Sequence, residues 1–185
     1  MKMNCNEKIF FLIFLIFFPT QVNAQEELID LLKDGNKLIF IRHAYAPGNG
    51  DPINFKLDDC STQRNLNSEG VKQSKKIGKL FYINKIKIDK VLSSEWCRCI
   101  DTAKIAFKKY TTFNALNSFY DPRYEMNKNK QIKDLKNYIH KWSGKNNLIL
   151  VTHYVVILEV LNTTAKSGEI IIADKEFNIL GRFKS

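Results

Sequence analysis

The chain has 185 residues, of which 44% are hydrophobic and 26% charged, and its formal net charge is +10. The length fits one domain, and the composition excludes an intrinsically disordered chain. The positive charge favours anionic partners such as phosphorylated substrates, nucleic acid or a membrane surface. Because the lysines are spread along the chain without a dense basic run, we predict no nucleic-acid partner.

The start of the chain has the features of a secretory signal peptide. Lys2 and Lys8 precede an unbroken apolar run from Ile9 to Phe18, Pro19 ends the run, and Val22-Asn23-Ala24 has the small-residue pattern of a cleavage site. The run is shorter than the ~20 apolar residues of a membrane-spanning helix, and an uncleaved anchor is the alternative. We predict a signal peptide over residues 1–24 and a single domain over residues 25–185. The domain is expected to be periplasmic or secreted, with no stable membrane anchor after cleavage.

Three cysteines follow the predicted cleavage site, namely Cys60, Cys97 and Cys99. On a helix Cys97 and Cys99 would point to different faces, so at most one disulfide is predicted, from Cys60 to either of them. The third thiol would stay free. No Cys or His spacing is typical of a zinc site, and we expect no bound metal.

Helical and strand-like segments alternate along the remaining chain. Helices are predicted over 26–36, 68–83, 95–110 and 129–142, strands over 37–41, 89–94 and 147–153, and a terminal hairpin over 169–183. Residues 111–125 are ambiguous, a short strand followed by loop. Residues 44–67 lack periodicity, and a loop of that length inside a compact domain is usually functional. The alternation predicts an α/β domain with a largely parallel sheet.

Polar side chains follow three of the predicted strands directly. The first strand ends in Arg42-His43, the second in Ser93-Ser94 and the third in Thr152-His153. Ligands of open α/β sheets bind outside the carboxyl ends of the strands, so His43 and His153 are expected to share a pocket. The third histidine, His140, lies in a helical stretch and is interpreted as structural.

Three arginines are candidates for the same edge of the sheet. Arg42 precedes His43, Arg98 lies in the helix after "LSS", and Arg64 lies in the long loop. Guanidinium groups beside imidazole suit an oxyanion that accepts several charge-assisted hydrogen bonds. For Arg64 a surface salt bridge is an equally good interpretation.

The order of these motifs resembles the histidine phosphatase superfamily, also called phosphoglycerate mutase-like. The stretches that carry the resemblance are "IRHA", "RNLNSEGVKQSKKIG", "VLSSEWCRCIDTA" and "LILVTH", over roughly residues 37–175. The exported branch of the family has further pieces that appear here as "APG", "GDP", "DCSTQRNL" and "SGE". The resemblance implies a three-layer sandwich around a mostly parallel sheet.

The resemblance also implies covalent catalysis on a small-molecule or other phosphomonoester without cofactor or metal. His43 would attack phosphorus and form a phosphohistidine, which water hydrolyses. Arg42, Arg98 and a protonated His153 would hold the phosphoryl oxygens, with Arg64 as a substrate-binding residue.

The proton donor to the leaving group is not evident from the sequence. Tyr154 follows His153 where some branches of the family carry an acid, and Asp121 and Glu125 are candidates by position only. The leading hypothesis is an exported phosphatase. The alternative is a non-catalytic protein of the same fold that binds phosphate or a phosphorylated ligand; a mutase is a third and weaker option.

Overall fold

A six-stranded sheet forms the centre of the computed structural model, which describes residues 20–183. The strands are β1 (Leu38–Arg42), β2 (Ile88–Ser93), β3 (Thr111–Thr112), β4 (Asn147–Thr152), β5 (Ile170–Ala173) and β6 (Ile179–Phe183). They lie in the order β3-β2-β4-β1-β5-β6. The pairs among β1 to β4 are parallel, whereas β5 and β6 pair antiparallel. The sheet is therefore mostly parallel, as predicted, with the expected terminal hairpin at one edge.

Helices cover both faces of this sheet. They are α1 (Thr20–Lys33), α2 (Ser68–Ile83), α3 (Cys97–Phe107), α4 (Pro122–Glu125), α5 (Lys128–Lys141) and α6 (Tyr154–Leu161), with short 3₁₀ turns at Cys60–Thr62 and Asn114–Leu116. Side chains of β1 alternate between the faces: Ile39 and Ile41 pack in the cluster with α1, α2 and α3, whereas Leu38 and Phe40 pack in the cluster with α5 and α6. The three-layer sandwich is thus confirmed.

Two segments differ from the prediction. Helix α6 was not predicted, and the ambiguous stretch at 111–125 folds into β3, a 3₁₀ turn and α4. Most of the predicted signal peptide lies outside the described residues, and residues 20–24 belong to the first part of α1. Within residues 20–183, no helix has both the length and the apolar character to cross a membrane.

Candidate active site

The two predicted pocket histidines meet at the carboxyl edge of the sheet. Strands β1 and β4 pair in parallel with Arg42 opposite Thr152. His43 and His153 directly follow these two strand ends and therefore lie side by side. The backbone N–H of His43 donates to the carbonyl of Thr152 at 2.9 Å. The ring centroids lie 5.5 Å apart, and both residues are 2% exposed. The shared pocket is therefore present.

The hydrogen bond of His43 fixes its tautomer. Its Nδ1 lies 2.8 Å from the carbonyl oxygen of Ala44, and because a carbonyl only accepts, Nδ1 carries the proton. The lone pair is then on Nε2. Burial first, and then the charge of Arg98, hold the pKa of His43 well below 6.5. The ring is a neutral imidazole with a free nitrogen, which is the form a nucleophile requires.

His153 is oriented by two neighbours. Its Nδ1 lies 3.5 Å from an Arg98 guanidinium nitrogen, which can only donate, so its Nε2 carries the proton and donates to Ser94 Oγ at 2.9 Å. The Ser94 hydroxyl in turn donates to Asn117 Oδ1 at 3.1 Å. Burial and Arg98 lower the pKa of His153 well below 6.5. The expected protonated form therefore needs the opposing charge of a phosphate beside the ring.

Asp51 holds Arg98 in the pocket. The Arg98 Nη1 lies 2.8 and 3.0 Å from the two carboxylate oxygens of Asp51, and both side chains are less than a tenth exposed. The same carboxylate accepts from the indole N–H of Trp96 at 3.1 Å and from the backbone N–H of Arg64 at 3.0 Å. Asp51, an acid of the long loop, thus connects the Arg64 backbone of that loop with Trp96 and Arg98.

Arg42 and Arg64 complete the set of cations. Arg42 donates to the carbonyl of Ala165 at 2.8 Å, and its guanidinium lies 5.4 Å from the ring centroid of Tyr154. Its buried Nε has no hydrogen-bond partner in the described part of the chain. Arg64 donates through Nε to the carbonyl of Gly50 at 2.7 Å and through Nη1 to the carbonyl of Ala46. With the residues that the structure describes, Arg64 does not form the surface salt bridge considered for it; its side chain contacts loop carbonyls and lines the pocket.

These groups surround a cavity of about 420 Å³. Its wall includes all five residues proposed from the sequence, Arg42, His43, Arg64, Arg98 and His153. Three guanidinium groups around a neutral imidazole can accept an oxyanion with several charged oxygens, because bidentate donors match phosphate geometry. Among residues 20–183, the buried Nε of Arg98, like that of Arg42, has no hydrogen-bond partner, so donor capacity is left for such a ligand.

A disulfide fastens the long loop to the helix that carries Arg98. Cys60 pairs with Cys97, with the Cα atoms 5.7 Å apart. This decides between the two pairings that the sequence left open. Cys99 stays a buried free thiol, and burial raises its pKa to about 12. That thiol is protonated and therefore a poor nucleophile.

The two acids considered as proton donors are differently placed. Asp121 lines the cavity, but it caps α4 and binds Arg123 through contacts of 2.7 and 2.9 Å. These hydrogen bonds lower the pKa of Asp121 to about 2. Glu125 is exposed on α4 and is not part of the cavity wall.

Sequence reasoning missed several residues that organise the site. Asp51 and Ser94 were quoted within motifs without a role, and Asn117 was not considered. Asp51 follows Gly50 in "GDP", one of the pieces shared with the exported branch, and that was the signal that could have found it. Within residues 20–183, no group of three or more His, Cys, Asp or Glu residues is placed to hold a metal ion.

The family model described as histidine phosphatase superfamily (branch 1) matches residues 38–147. The chain therefore belongs to the histidine phosphatase superfamily. The matched range contains Arg42, His43, Arg64 and Arg98 and ends before His153. No curated protein shows a significant sequence match to the chain.

Solved structures share the fold at low sequence identity. A protein histidine phosphatase SixA complexed with tungstate is 14% identical, with a TM-score of 0.56 over 80% of this chain and 96% of that one. A candidate phosphohistidine phosphatase SixA from Agrobacterium tumefaciens is 16% identical, with a TM-score of 0.58 over 82% and 99%. A phosphoglycerate mutase from Thermus thermophilus is 15% identical, with a TM-score of 0.58 over 80% and 99%. These likenesses establish the phosphoglycerate mutase-like fold.

Proposed function

We propose that the protein is a phosphatase that hydrolyses phosphomonoesters through a phosphohistidine on His43. The observation that carries this proposal is the free Nε2 of a neutral, buried His43 facing a cavity with three arginines. The SixA structures that share the fold are described as histidine phosphatases or phosphohistidine phosphatases, which favours hydrolysis over transfer between two positions of a substrate.

The chemistry follows from the arrangement of these groups. Nε2 of His43 attacks phosphorus and the bond to the leaving oxygen breaks, with its electron pair departing on that oxygen. Arg42, Arg98 and Arg64 hold the phosphoryl oxygens, and preorganised donors of this kind stabilise the transition state most strongly in a site shielded from water. Water then attacks phosphorus, and the electron pair of the N–P bond returns to Nε2.

His153 is proposed to work as a second donor to the phosphoryl group. Ser94 and Arg98 fix its ring beside His43, and a bound dianion would raise its pKa and favour the protonated form. In that form Nδ1 could donate to a phosphoryl oxygen.

Release of p-nitrophenol from its phosphate ester tests the phosphatase proposal. We expect turnover by the full chain, loss of turnover in His43→Ala, and no change in His140→Ala, whose side chain lies exposed on α5. Acid-labile phosphate trapped on His43 during turnover would identify the nucleophile. Trapping at any other residue would overturn the mechanism.

A non-catalytic phosphate-binding protein is the second candidate. One observation favours it: neither candidate proton donor is placed to protonate a leaving group, because Asp121 is bound to Arg123 and Glu125 lies outside the cavity wall. Calorimetric binding of inorganic phosphate together with no turnover of any phosphomonoester would establish this alternative.

We also propose that the protein is exported to the periplasm or secreted. The apolar segment and cleavage pattern of residues 1–24 support export. The disulfide between Cys60 and Cys97 agrees with it, because such bonds persist in oxidising compartments. Cell fractionation with mass determination of the purified protein tests this proposal: a mature chain that starts near Gln25 is expected, and an intact chain in the cytoplasm would contradict it.

A further inference from the structure

Two carboxyl groups line the cavity among the residues that the structure describes, and both are held by cations. Asp51 accepts four contacts, from Arg98, Trp96 and the backbone of Arg64. Asp121 accepts from the guanidinium of Arg123 and is ionised at neutral pH. A carboxylate that only accepts hydrogen bonds has no proton for a leaving group.

The other titratable groups of the cavity give no better donor. Without a bound dianion His43 and His153 are neutral, and the free nitrogen of His153 accepts from Arg98. When a phosphate raises its pKa, His153 is proposed above to donate to a phosphoryl oxygen and not to the leaving group. Burial raises the pKa of Tyr154 above its ordinary value of 10. We therefore expect the leaving oxygen to depart as an anion. Phenols, with a pKa of ~10 as in tyrosine, leave as stable anions far more readily than alkyl alcohols, which are about as weakly acidic as water.

The mouth of the cavity has an aromatic wall beside the phosphate-binding arginines. The rings of Tyr120 and Tyr154 are 5.8 Å apart in an edge-to-face arrangement, and Tyr154 lies against Arg42. Phe55 and Trp96 add two further rings to the cavity wall. A phosphoryl group held by Arg42 would place its leaving group next to this tyrosine pair, where an aromatic ring gains edge-to-face contacts.

The polar side chains at the mouth contact Tyr120. Asn49 donates to the Tyr120 hydroxyl at 3.3 Å, and the Ser118 hydroxyl accepts from the Tyr120 backbone N–H at 3.3 Å. Tyr120 itself is 46% exposed, so its ring can contact an entering molecule. The ring is held in place before substrate arrives, which reduces the entropy cost of binding.

Both acids of the cavity are held by arginines, and its mouth is lined by aromatic rings. From these two observations we infer that the preferred substrates are aryl phosphomonoesters, such as phosphotyrosine, free or in a peptide. This inference rests on the proposed phosphatase function. His43 Nε2 would displace a phenolate, which takes both electrons of the P–O bond and later a proton from solvent. Water would then release inorganic phosphate from the phosphohistidine, as described above.

The experiment compares leaving groups at constant pH. We expect kcat/KM for phenyl phosphate to exceed that for glycerol 2-phosphate by at least about 100-fold, the usual contribution of a general acid that the alkyl ester would need. Across substituted phenyl phosphates, kcat/KM should fall steeply as the pKa of the phenol rises. A phosphotyrosyl peptide should be hydrolysed and a phosphoseryl peptide of the same sequence should not.

Variants of Tyr120 test the aromatic wall. Tyr120→Ala should lower kcat/KM for phenyl phosphate about two- to tenfold more than kcat/KM for the alkyl ester, whereas Tyr120→Phe should keep the aryl preference. Tyr82→Ala, on an exposed tyrosine of α2, is the matched control and should change neither. Equal rates for aryl and alkyl esters, or equal losses for both in Tyr120→Ala, would overturn the inference and leave the phosphatase proposal intact. Absence of turnover with every ester would instead refute the phosphatase proposal.

Discussion

The strand half of the pocket, formed by Arg42, His43 and His153, differs in construction from the loop half, formed by Asp51, Arg64 and Tyr120. The strand half stands on two paired strands whose register brings the histidines together. The loop half depends on side-chain contacts with residues far along the chain and on a disulfide. We propose a corresponding division of work: the strands fix the proposed reacting groups, whereas the loops hold Arg64 and Arg98 in place and shape the opening for the leaving group.

Arg98 contacts both Asp51 of the loop half and His153 of the strand half. We expect its replacement to have the largest effect. Arg98→Met removes a proposed phosphate-binding group and leaves Asp51 as an uncompensated buried charge. We expect kcat/KM for p-nitrophenyl phosphate to fall by about 10²- to 10³-fold. The free energy of unfolding should drop by about 3–5 kcal/mol, measured by urea denaturation.

A second substitution separates the two effects. Asp51→Asn in the Arg98→Met background removes the uncompensated charge, so stability should largely return while activity stays low. Lys128→Met, which breaks an exposed ion pair with Glu159, is the control and should alter neither quantity appreciably. Recovery of activity in the double variant would show that Arg98 serves only to support the loop.

Opening the disulfide should loosen the loop half selectively. Cys60 and Cys97 are separated by 37 residues in sequence, and removal of such a cross-link typically costs about 2–4 kcal/mol of stability. We expect Cys60→Ser/Cys97→Ser to lower the unfolding free energy by this amount. KM should rise several-fold because Arg64 and Asp51 lose their anchor, while the fall in kcat is smaller.

Reductant offers an independent check on the same bond. Dithiothreitol should reproduce the effect in the wild-type chain and have no further effect on the double serine variant. A kcat loss larger than the KM change would contradict the selective role of the disulfide, because the proposed reacting groups belong to the strand half.

The strand half could be predicted from sequence because its signals are local. An apolar run that ends in Arg42-His43, and another that ends in His153, already place these residues once the sheet is parallel. The loop half could not be predicted in the same way. Asp51 meets Arg98, 47 residues along the chain, and no spacing rule describes that approach. The hydrophobic periodicity of strands and helices does not predict a contact that a loop residue makes.

The unpredicted helix α6 has a similar explanation. Its sequence, Tyr154–Leu161, contains seven apolar or aromatic residues and one glutamate. Val156, Ile157, Val160 and Leu161 are buried in the cluster that also holds the inner residues of α5. A short, nearly all-apolar run has no polar face, so periodicity cannot separate a buried helix from a buried strand.

The two histidines of the strand half should make stability depend on pH. Burial, with Arg98 as the next cause, places both pKa values well below 6.5 in the folded protein, whereas in the unfolded chain they are near 6.5. The unfolded chain then binds more protons below pH 6.5, and the folded state loses stability as the pH falls from 6.5 toward the folded-state values. The expected slope is at most ~1.4 kcal/mol per pH unit for each histidine.

Urea denaturation between pH 6.5 and 5, where carboxylates contribute less, measures this slope. His43→Asn and His153→Asn should each flatten it, and His140→Asn should leave it unchanged because that side chain is exposed on α5. An unchanged slope in both pocket variants would show that the imidazoles are not the source of the acid sensitivity.

Asp121 adjoins Tyr120 of the loop half and is bound by Arg123. Removing the Arg123 side chain should have the smallest effect on activity. In Arg123→Ala the carboxylate loses the side-chain hydrogen bonds that are the largest cause of its lowered pKa of about 2, and it keeps the one from the backbone N–H of residue 123. We expect the pKa to rise part of the way toward 3.8, observed by NMR titration. At pH 7 fewer than about one in a thousand such groups is protonated, so the variant still lacks a proton donor. Turnover of phenyl phosphate should change by less than about twofold, because Arg123 is not part of the cavity wall. Glycerol 2-phosphate should remain a poor substrate. A gain of alkyl phosphatase activity at pH 7 would show instead that Asp121 can protonate a leaving group and that Arg123 suppresses this role, which would assign acid catalysis to the loop half.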